Sequence, residues 1–170
     1  MKDLHAVALT VNGRAHELAV ESRRTLADVL RHDLGYTGTH VGCEHGICGA
    51  CTVLLDGEPV RSCLMFAVQA DGFAITTIEA VAPAPGELSI VQDAFCETHG
   101  LQCGFCTPGM ILTAEALLRR IPDPTRADIV NAISANLCRC TGYGQIVEAI
   151  ALAAKRRAGS NLPPLPGGGA

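Results

Sequence analysis

Nine cysteines carry the chemistry of this 170-residue sequence. They stand at 43, 48, 51 and 63, then at 96, then at 103, 106, 138 and 140. Four thiolates are the usual complement of a cysteine metal site, so two sets of four with Cys96 left over is the simplest partition. The opening residues Met1 to His5 show neither the basic nor the apolar segment of an export signal. A cytoplasmic chain is therefore expected. In that compartment thiols stay reduced, and grouped cysteines hold metal rather than pair as disulfides.

Cys43-x4-Cys48-x2-Cys51, with Cys63 at a distance, is the spacing by which four thiolates hold a plant-type [2Fe–2S] cluster. Three thiolates of one loop reach two irons only if the backbone wraps the cluster closely, and Gly42, Gly46 and Gly49 permit that approach. Peptide N–H groups of the loop can then donate to the sulfurs and help set the reduction potential. Zinc sites more often show two separated pairs. A Rieske arrangement from Cys43-Glu44-His45 and Cys96-Glu97-Thr98-His99 would leave Cys48, Cys51 and Cys63 unused. His45 is expected to be a solvated loop residue, and His5, His16, His32 and His40 receive no role.

Cys103-Gly104-Phe105-Cys106 and Cys138-Arg139-Cys140 each precede an expected helix, entered through Thr107-Pro108 and Thr141-Gly142. Helix N-termini present unsatisfied N–H groups and about half a positive charge. Two of them at four thiolates would favour an anionic cluster. Spacing favours iron–sulfur here and leaves zinc open. Cys96, on the run Ile90, Val91, Ala94 and Phe95, reads as a buried core thiol.

The elements that position these residues fall into two halves. Runs at 6–11 and 16–20 flank Asn12-Gly13, and runs at 52–55 and 58–60 flank Asp56-Gly57, both hairpin signals. A fifth strand is expected around 74–78. Between the hairpins, Ser22 or Thr25 can cap a helix with the stripe Leu26, Val29, Leu30 and Leu34, which Gly35 ends. Residues 1–79 thus form a small α+β domain, and 80–87 a linker rich in Ala and Pro. Helices are expected at 88–98, 108–120, 126–136 and 143–157, with Thr107 and Thr125 as caps, in a compact helical domain over 88–157. Residues 158–170 read as a flexible tail.

With 13 Lys+Arg against 17 Asp+Glu, a net charge of −4 and no basic block, nucleic acid is not the expected partner. No apolar run reaches the roughly 18 residues of a membrane span.

Three motifs together resemble the small iron–sulfur subunit of the molybdenum hydroxylases, the xanthine oxidase family, which includes aldehyde and aerobic carbon monoxide dehydrogenases. They are Cys-Glu-His-Gly-Ile-Cys-Gly-Ala-Cys at 43–51, Gln-Cys-Gly-Phe-Cys-Thr-Pro-Gly at 102–109 and Cys-Arg-Cys-Thr-Gly-Tyr at 138–143. The resemblance implies a β-grasp, plant-type ferredoxin-like domain followed by an all-α four-helix bundle, each with a [2Fe–2S] cluster. Cys43, Cys48, Cys51 and Cys63 would hold the first, and Cys103, Cys106, Cys138 and Cys140 the second. It further implies a large partner subunit holding molybdenum on molybdopterin or its cytosine dinucleotide, and a medium subunit holding FAD. The assembly would be a heterotrimer or a dimer of heterotrimers. By similarity Gln102 and Cys140 contact the pterin, and the second cluster lies nearer to it than the first.

The implied function is a one-electron relay from the molybdenum site through two clusters to FAD or another acceptor. Because plant-type clusters lie near roughly −400 mV, upward tuning is expected. A free two-cluster ferredoxin-type carrier is the alternative, although such a carrier needs only the first domain. A zinc-stapled interaction module is a third reading. The same resemblance implies that the substrate pocket belongs to the large partner subunit.

Overall fold

The computed structural model describes residues 3–158. In the first half, β1 (Leu4–Val11) and β2 (Arg14–Glu21) pair antiparallel in a register that sets Val11 opposite Arg14. Asn12 and Gly13 form the whole loop, with φ of 53° and 78°, as a hairpin turn of matching twist requires. β3 (Thr52–Leu55) and β4 (Glu58–Arg61) repeat the device around Asp56 and Gly57. β5 (Ala74–Thr76) lies between the hairpins, parallel to β1 and antiparallel to β3, giving the order β2-β1-β5-β3-β4.

One helix packs on this sheet. α1 (Leu26–Asp28) starts at Thr25, whose hydroxyl accepts from the Asp28 N–H, and runs on into a wider π-helical turn over Val29–Asp33. The expected regular helix is therefore widened after one turn, with Leu34 N–H reaching Val29 O at 3.0 Å. Leu26, Val29 and Leu30 still face the sheet and share a core with Val7, Leu9, Val11, Val53 and Ile75.

The second half contains α2 (Ile90–Glu97), α3 (Thr107–Arg120), α4 (Arg126–Ile133) and α5 (Gly144–Arg157). Phe95, Met110, Leu117, Ile129, Ile146 and Ile150 form its core. The buried Glu115 of α3 pairs with Arg157 at the end of α5. Thr125 caps α4 as expected, and Ser89 caps α2. Thr107 does not cap α3: Cys106 occupies the cap, and Thr107 and Pro108 sit inside the first turn, where proline loses no helical hydrogen bond. α4 stops at Ile133 rather than 136, because the next residues turn away to bind the other half.

Cys96 is exposed, not buried. Val91, Ala94 and Phe95 occupy the inward face of α2, and one further residue swings about 100° round the helix into solvent. The halves are joined through Leu54, which belongs to the helical core, and through α3 packed on β3 and β4. The tail expected at 158–170 lies, beyond Ala158, outside the described residues. Among the described residues, no helix is long and apolar enough to cross a membrane.

Candidate iron–sulfur sites

The first cysteine set lies at one end of the sheet. Cys43, Cys48 and Cys51 come from the loop between α1 and β3, and Cys63 follows β4. Cys51 and Cys63 are buried beside Ala27 and Val41. The α1 N-terminus braces this end: Leu26 N–H donates to Met65 O at 2.7 Å and Ala27 N–H to Ser62 O at 3.1 Å. The Ser62 hydroxyl binds Cys51 O at 2.7 Å. These bonds hold the distant Cys63 against the loop.

Within the loop, the Cys48 N–H points at Cys43 Sγ from 3.4 Å. That bond, followed by one from the His45 N–H, lowers the Cys43 thiol from its ordinary value to about 6. Burial pushes Cys63 up to about 11, with the adjacent Cys51 thiol adding to the shift. Cys48 is also raised, first by burial. All four sulfurs act on one another, with direct thiol hydrogen bonds between Cys43 and Cys48 and between Cys51 and Cys63. His45 is exposed as expected, with its Nδ1 turned back on Cys43 O.

The second set repeats the pairing on another scaffold. Cys106 is buried at the start of α3, while Cys103 and Cys140 are exposed. Cys103 and Cys140 Sγ stand 3.6 Å apart, and the thiols of Cys106 and Cys138 form the other pair. Burial raises Cys106 to about 12. Burial also acts to raise Cys138, but donors from the Thr141 hydroxyl and the N–H groups of Thr141 and Cys140 outweigh it, so that thiol is lowered. Tyr143 orders the loop: its hydroxyl accepts from Cys138 N–H at 2.9 Å, and its own φ is +69°. Of the two helix N-termini expected here, only that of α3 carries a set member as its cap, for α5 begins at Gly144, beyond Tyr143. Gln102 Nε2 donates to Cys140 O at 3.2 Å, so these two residues stand together at an exposed edge.

Among the described residues, no three His, Cys, Asp or Glu side chains gather closely enough to hold a single metal ion. Both sets consist instead of thiol pairs placed side by side.

The two sets touch through the chain itself. Leu137 N–H, one residue before Cys138, donates to Cys48 O at 2.8 Å. Asn136 is buried and gives its Nδ2 to Gly49 O at 3.1 Å, while its Oδ1 accepts from Arg61 Nη2 at 3.2 Å. Arg61 also reaches Ala135 O at 2.6 Å. Sequence reasoning missed Arg61 and Asn136, whose partners are distant in the chain. It also gave no role to His40, whose ring stacks on Phe105 at 4.9 Å between centroids.

Residues 9–76 match the family described as 2Fe-2S iron-sulfur cluster binding domain, and residues 77–151 the family described as [2Fe-2S] binding domain. Caffeine dehydrogenase subunit gamma of Pseudomonas sp. (strain CBB1) is 57% identical over 149 residues, covering 86% of this chain and 89% of that protein. The nicotine 6-hydroxylase small subunit of Paenarthrobacter nicotinovorans is 53% identical over 144 residues, covering 85% of this chain and 86% of its own. A chain in the crystal structure of quinoline 2-oxidoreductase from Pseudomonas putida 86 superposes with a TM-score of 0.89 at 45% identity, covering 95% of this chain and 100% of that one. This chain belongs to the small iron–sulfur subunits of the molybdenum hydroxylases. As a molybdenum hydroxylase iron–sulfur subunit, it serves electron transfer within a multi-subunit oxidoreductase and has two [2Fe–2S]-binding domains. The first half is accordingly ferredoxin-like.

Proposed function

We propose that Cys43, Cys48, Cys51 and Cys63 hold one [2Fe–2S] cluster and Cys103, Cys106, Cys138 and Cys140 the other. The observation that carries this assignment is the pairing of sulfurs. A two-iron rhomb needs two thiolates at each end, and the neighbouring pairs are Cys43–Cys48 with Cys51–Cys63, and Cys103–Cys140 with Cys106–Cys138. When bound, each cluster takes up and passes on a single electron. The chain's own residues set the terms of that exchange. N–H groups at Cys43 and the Thr141 hydroxyl at Cys138 stabilise negative charge on sulfur, which favours the reduced state and moves the potential upward. Burial of Cys51, Cys63 and Cys106 keeps water from these three sulfurs.

The chain divides, in this reading, into the ferredoxin-like domain at 1–79, a connection at 80–87 and a four-helix bundle at 88–157. The second site faces a molybdopterin-bearing subunit through the exposed edge of Gln102, Cys103 and Cys140. The first site faces a subunit with FAD or another acceptor. Leu137 N–H on Cys48 O gives a continuous bonded route between the sites. The assembly is a cytoplasmic heterotrimer, alone or doubled. Gln102 orients Cys140 toward the pterin, so Gln102→Ala should leave both clusters in place and slow electron flow from molybdenum. Unchanged flow would remove Gln102 from the path.

The assignment is tested by iron and acid-labile sulfide per chain, with EPR of the dithionite-reduced complex. Four irons, four sulfides and two distinguishable signals are expected. Two irons with one signal would overturn the second site.

A further inference from the structure

We infer that His40 is a positioning residue for electron exchange between the two sites, acting by clamping Phe105 of the second cysteine loop onto the first. The inference rests on the two-cluster reading above and names a contact which that reading does not require.

Four observations converge on the clamp. His40 Nδ1 lies 2.8 Å from Phe105 O. A carbonyl only accepts, so Nδ1 carries the hydrogen and donates it. The two rings also stack, with centroids 4.9 Å apart and planes inclined by 20°. Phe105 is thus held by backbone and ring together, in the two-residue span between Cys103 and Cys106. At its far edge the ring meets the first loop: a Cβ placed on Gly42 would lie 3.2 Å from Phe105 Cε1 and 3.3 Å from Cys48 Sγ. The Phe105 ring and the Cys48 sulfur therefore border the same small space beside Gly42, where an added Cβ would crowd both. Finally, His40 itself is anchored. Arg31 Nη1 donates to Thr37 O at 2.7 Å and Thr39 O at 2.8 Å, fixing the strand of chain that presents the ring.

This bridge is separate from the Leu137–Cys48 bond and lies on other residues. The backbone bond ties Cys138 to the first loop, whereas the His40 clamp ties the Cys103–Cys106 span. The clamp adds a contact at the Cys103–Cys106 span to the Leu137, Asn136 and Arg61 bonds, which all lie on the approach to Cys138, and so restrains the tilt between the sites from a second point. The electron that oxidises the second cluster on leaving reduces the first on arrival. Its transfer rate falls steeply if the two sites loosen against each other.

The test uses the intact complex with its partner subunits and compares the wild type with His40→Ala, His40→Asn and Phe105→Leu. Asn replaces the Nδ1 donor without the ring, and Leu removes the ring while keeping the accepting carbonyl. Each preparation is first assayed for iron and sulfide. The readouts are the magnetic splitting between the two EPR signals in the fully reduced state and the rate of electron redistribution after pulsed reduction. With four irons per chain, His40→Ala and Phe105→Leu should show a smaller splitting, and redistribution should slow severalfold. His40→Asn should fall between His40→Ala and the wild type. Unchanged splitting and rate in both His40→Ala and Phe105→Leu at full iron would overturn the inference. A His40→Asn variant no better than His40→Ala would overturn the part assigned to the hydrogen bond. A wild type holding only two irons would instead overturn the two-cluster reading, which the iron assay alone decides.

Discussion

The phrase Cys-Gly-x-Cys occurs twice, at Cys48–Cys51 and at Cys103–Cys106, and the structure uses it in two ways. In the first, the chain goes on into β3, and the phrase is pressed between halves of the molecule. In the second it goes on into α3, and the phrase lies open at an edge. The central glycines show the difference. Both are left-handed, Gly49 with φ +73° and Gly104 with φ +82°. A Cβ on Gly49 would lie 2.6 Å from Ala135 O, whereas one on Gly104 would meet nothing within 4 Å. The same local conformation is needed for close wrapping at one site and only for the turn at the other. The first site has two buried and two half-buried cysteines and none exposed, whereas the second keeps Cys103 and Cys140 exposed for contact beyond the chain.

The largest effects should come from the cysteines and test whether the two sites are independent. Cys63→Ala should remove the first cluster and halve the iron, leaving the EPR signal of the second. Cys138→Ala should do the reverse. Loss of all iron in either variant would mean that the sites assemble as one unit.

The glycine pair should give the next largest effect. Gly104→Ala forces an L-residue into a left-handed conformation and should cost about 1 kcal/mol. Gly49→Ala adds the collision with Ala135 O, and strain with overpacking together should reach about 3 kcal/mol or more. The midpoint temperature for bleaching of the visible absorbance measures both. Equal shifts would show that crowding at Gly49 relaxes freely.

Asn136 joins the halves between these two phrases, and its removal is the third test. Asn136→Ala would leave Gly49 O without its side-chain donor and Arg61 Nη2 without one of its acceptors. Both keep other partners, Gly49 O in the Thr52 N–H and hydroxyl and Arg61 Nη2 in Ala135 O, so the loss is that of ordinary hydrogen bonds, about 0.5–1.5 kcal/mol each. The bleaching midpoint should fall accordingly, with the first site lost before the second because Gly49 lies in its loop. Simultaneous loss would place the weakness in the shared core instead.

What the sequence showed and what it concealed divide along the same line of distance. Asn12-Gly13, Asp56-Gly57 and the caps at Thr25 and Thr125 act within a few residues, so their spacing alone located strands and helix starts. The cysteine motifs are also local, apart from Cys63. The contacts that join the halves are not. Asn136 meets Gly49 and Arg61 across 87 and 75 residues of chain, and nothing near any of them in sequence marks the other two. The expected run of α4 to 136 failed for this reason, since helical periodicity has no term for a backbone that unwinds to reach a partner. Cys96 failed differently. Its reading as a core thiol placed it on the apolar run of α2 next to Phe95, but Phe95 already takes the inward position and the next residue turns outward. His40 reads as a polar loop residue until Phe105, in the other half, is set against it.

The subtlest contrast between the sites is in their free thiols, and it follows from the direction of each shift. In the chain freed of iron, Cys43 is lowered to about 6 by the Cys48 and His45 N–H groups, and Cys106 is raised to about 12 by burial. At neutral pH Cys43 is therefore mainly thiolate and Cys106 thiol, and only the thiolate attacks an alkylating agent. Iodoacetamide should modify Cys43 first. Its rate should change little between pH 7 and 8 and fall as the pH drops through about 6, because protonation then removes the nucleophile. Cys106 should stay unreacted over that range and should release a proton when iron binds it. Mass spectrometry of the alkylated apo-chain against pH distinguishes the two. A Cys43 rate that keeps rising above pH 8 would show that the loop's N–H groups do not hold the thiolate until iron is in place.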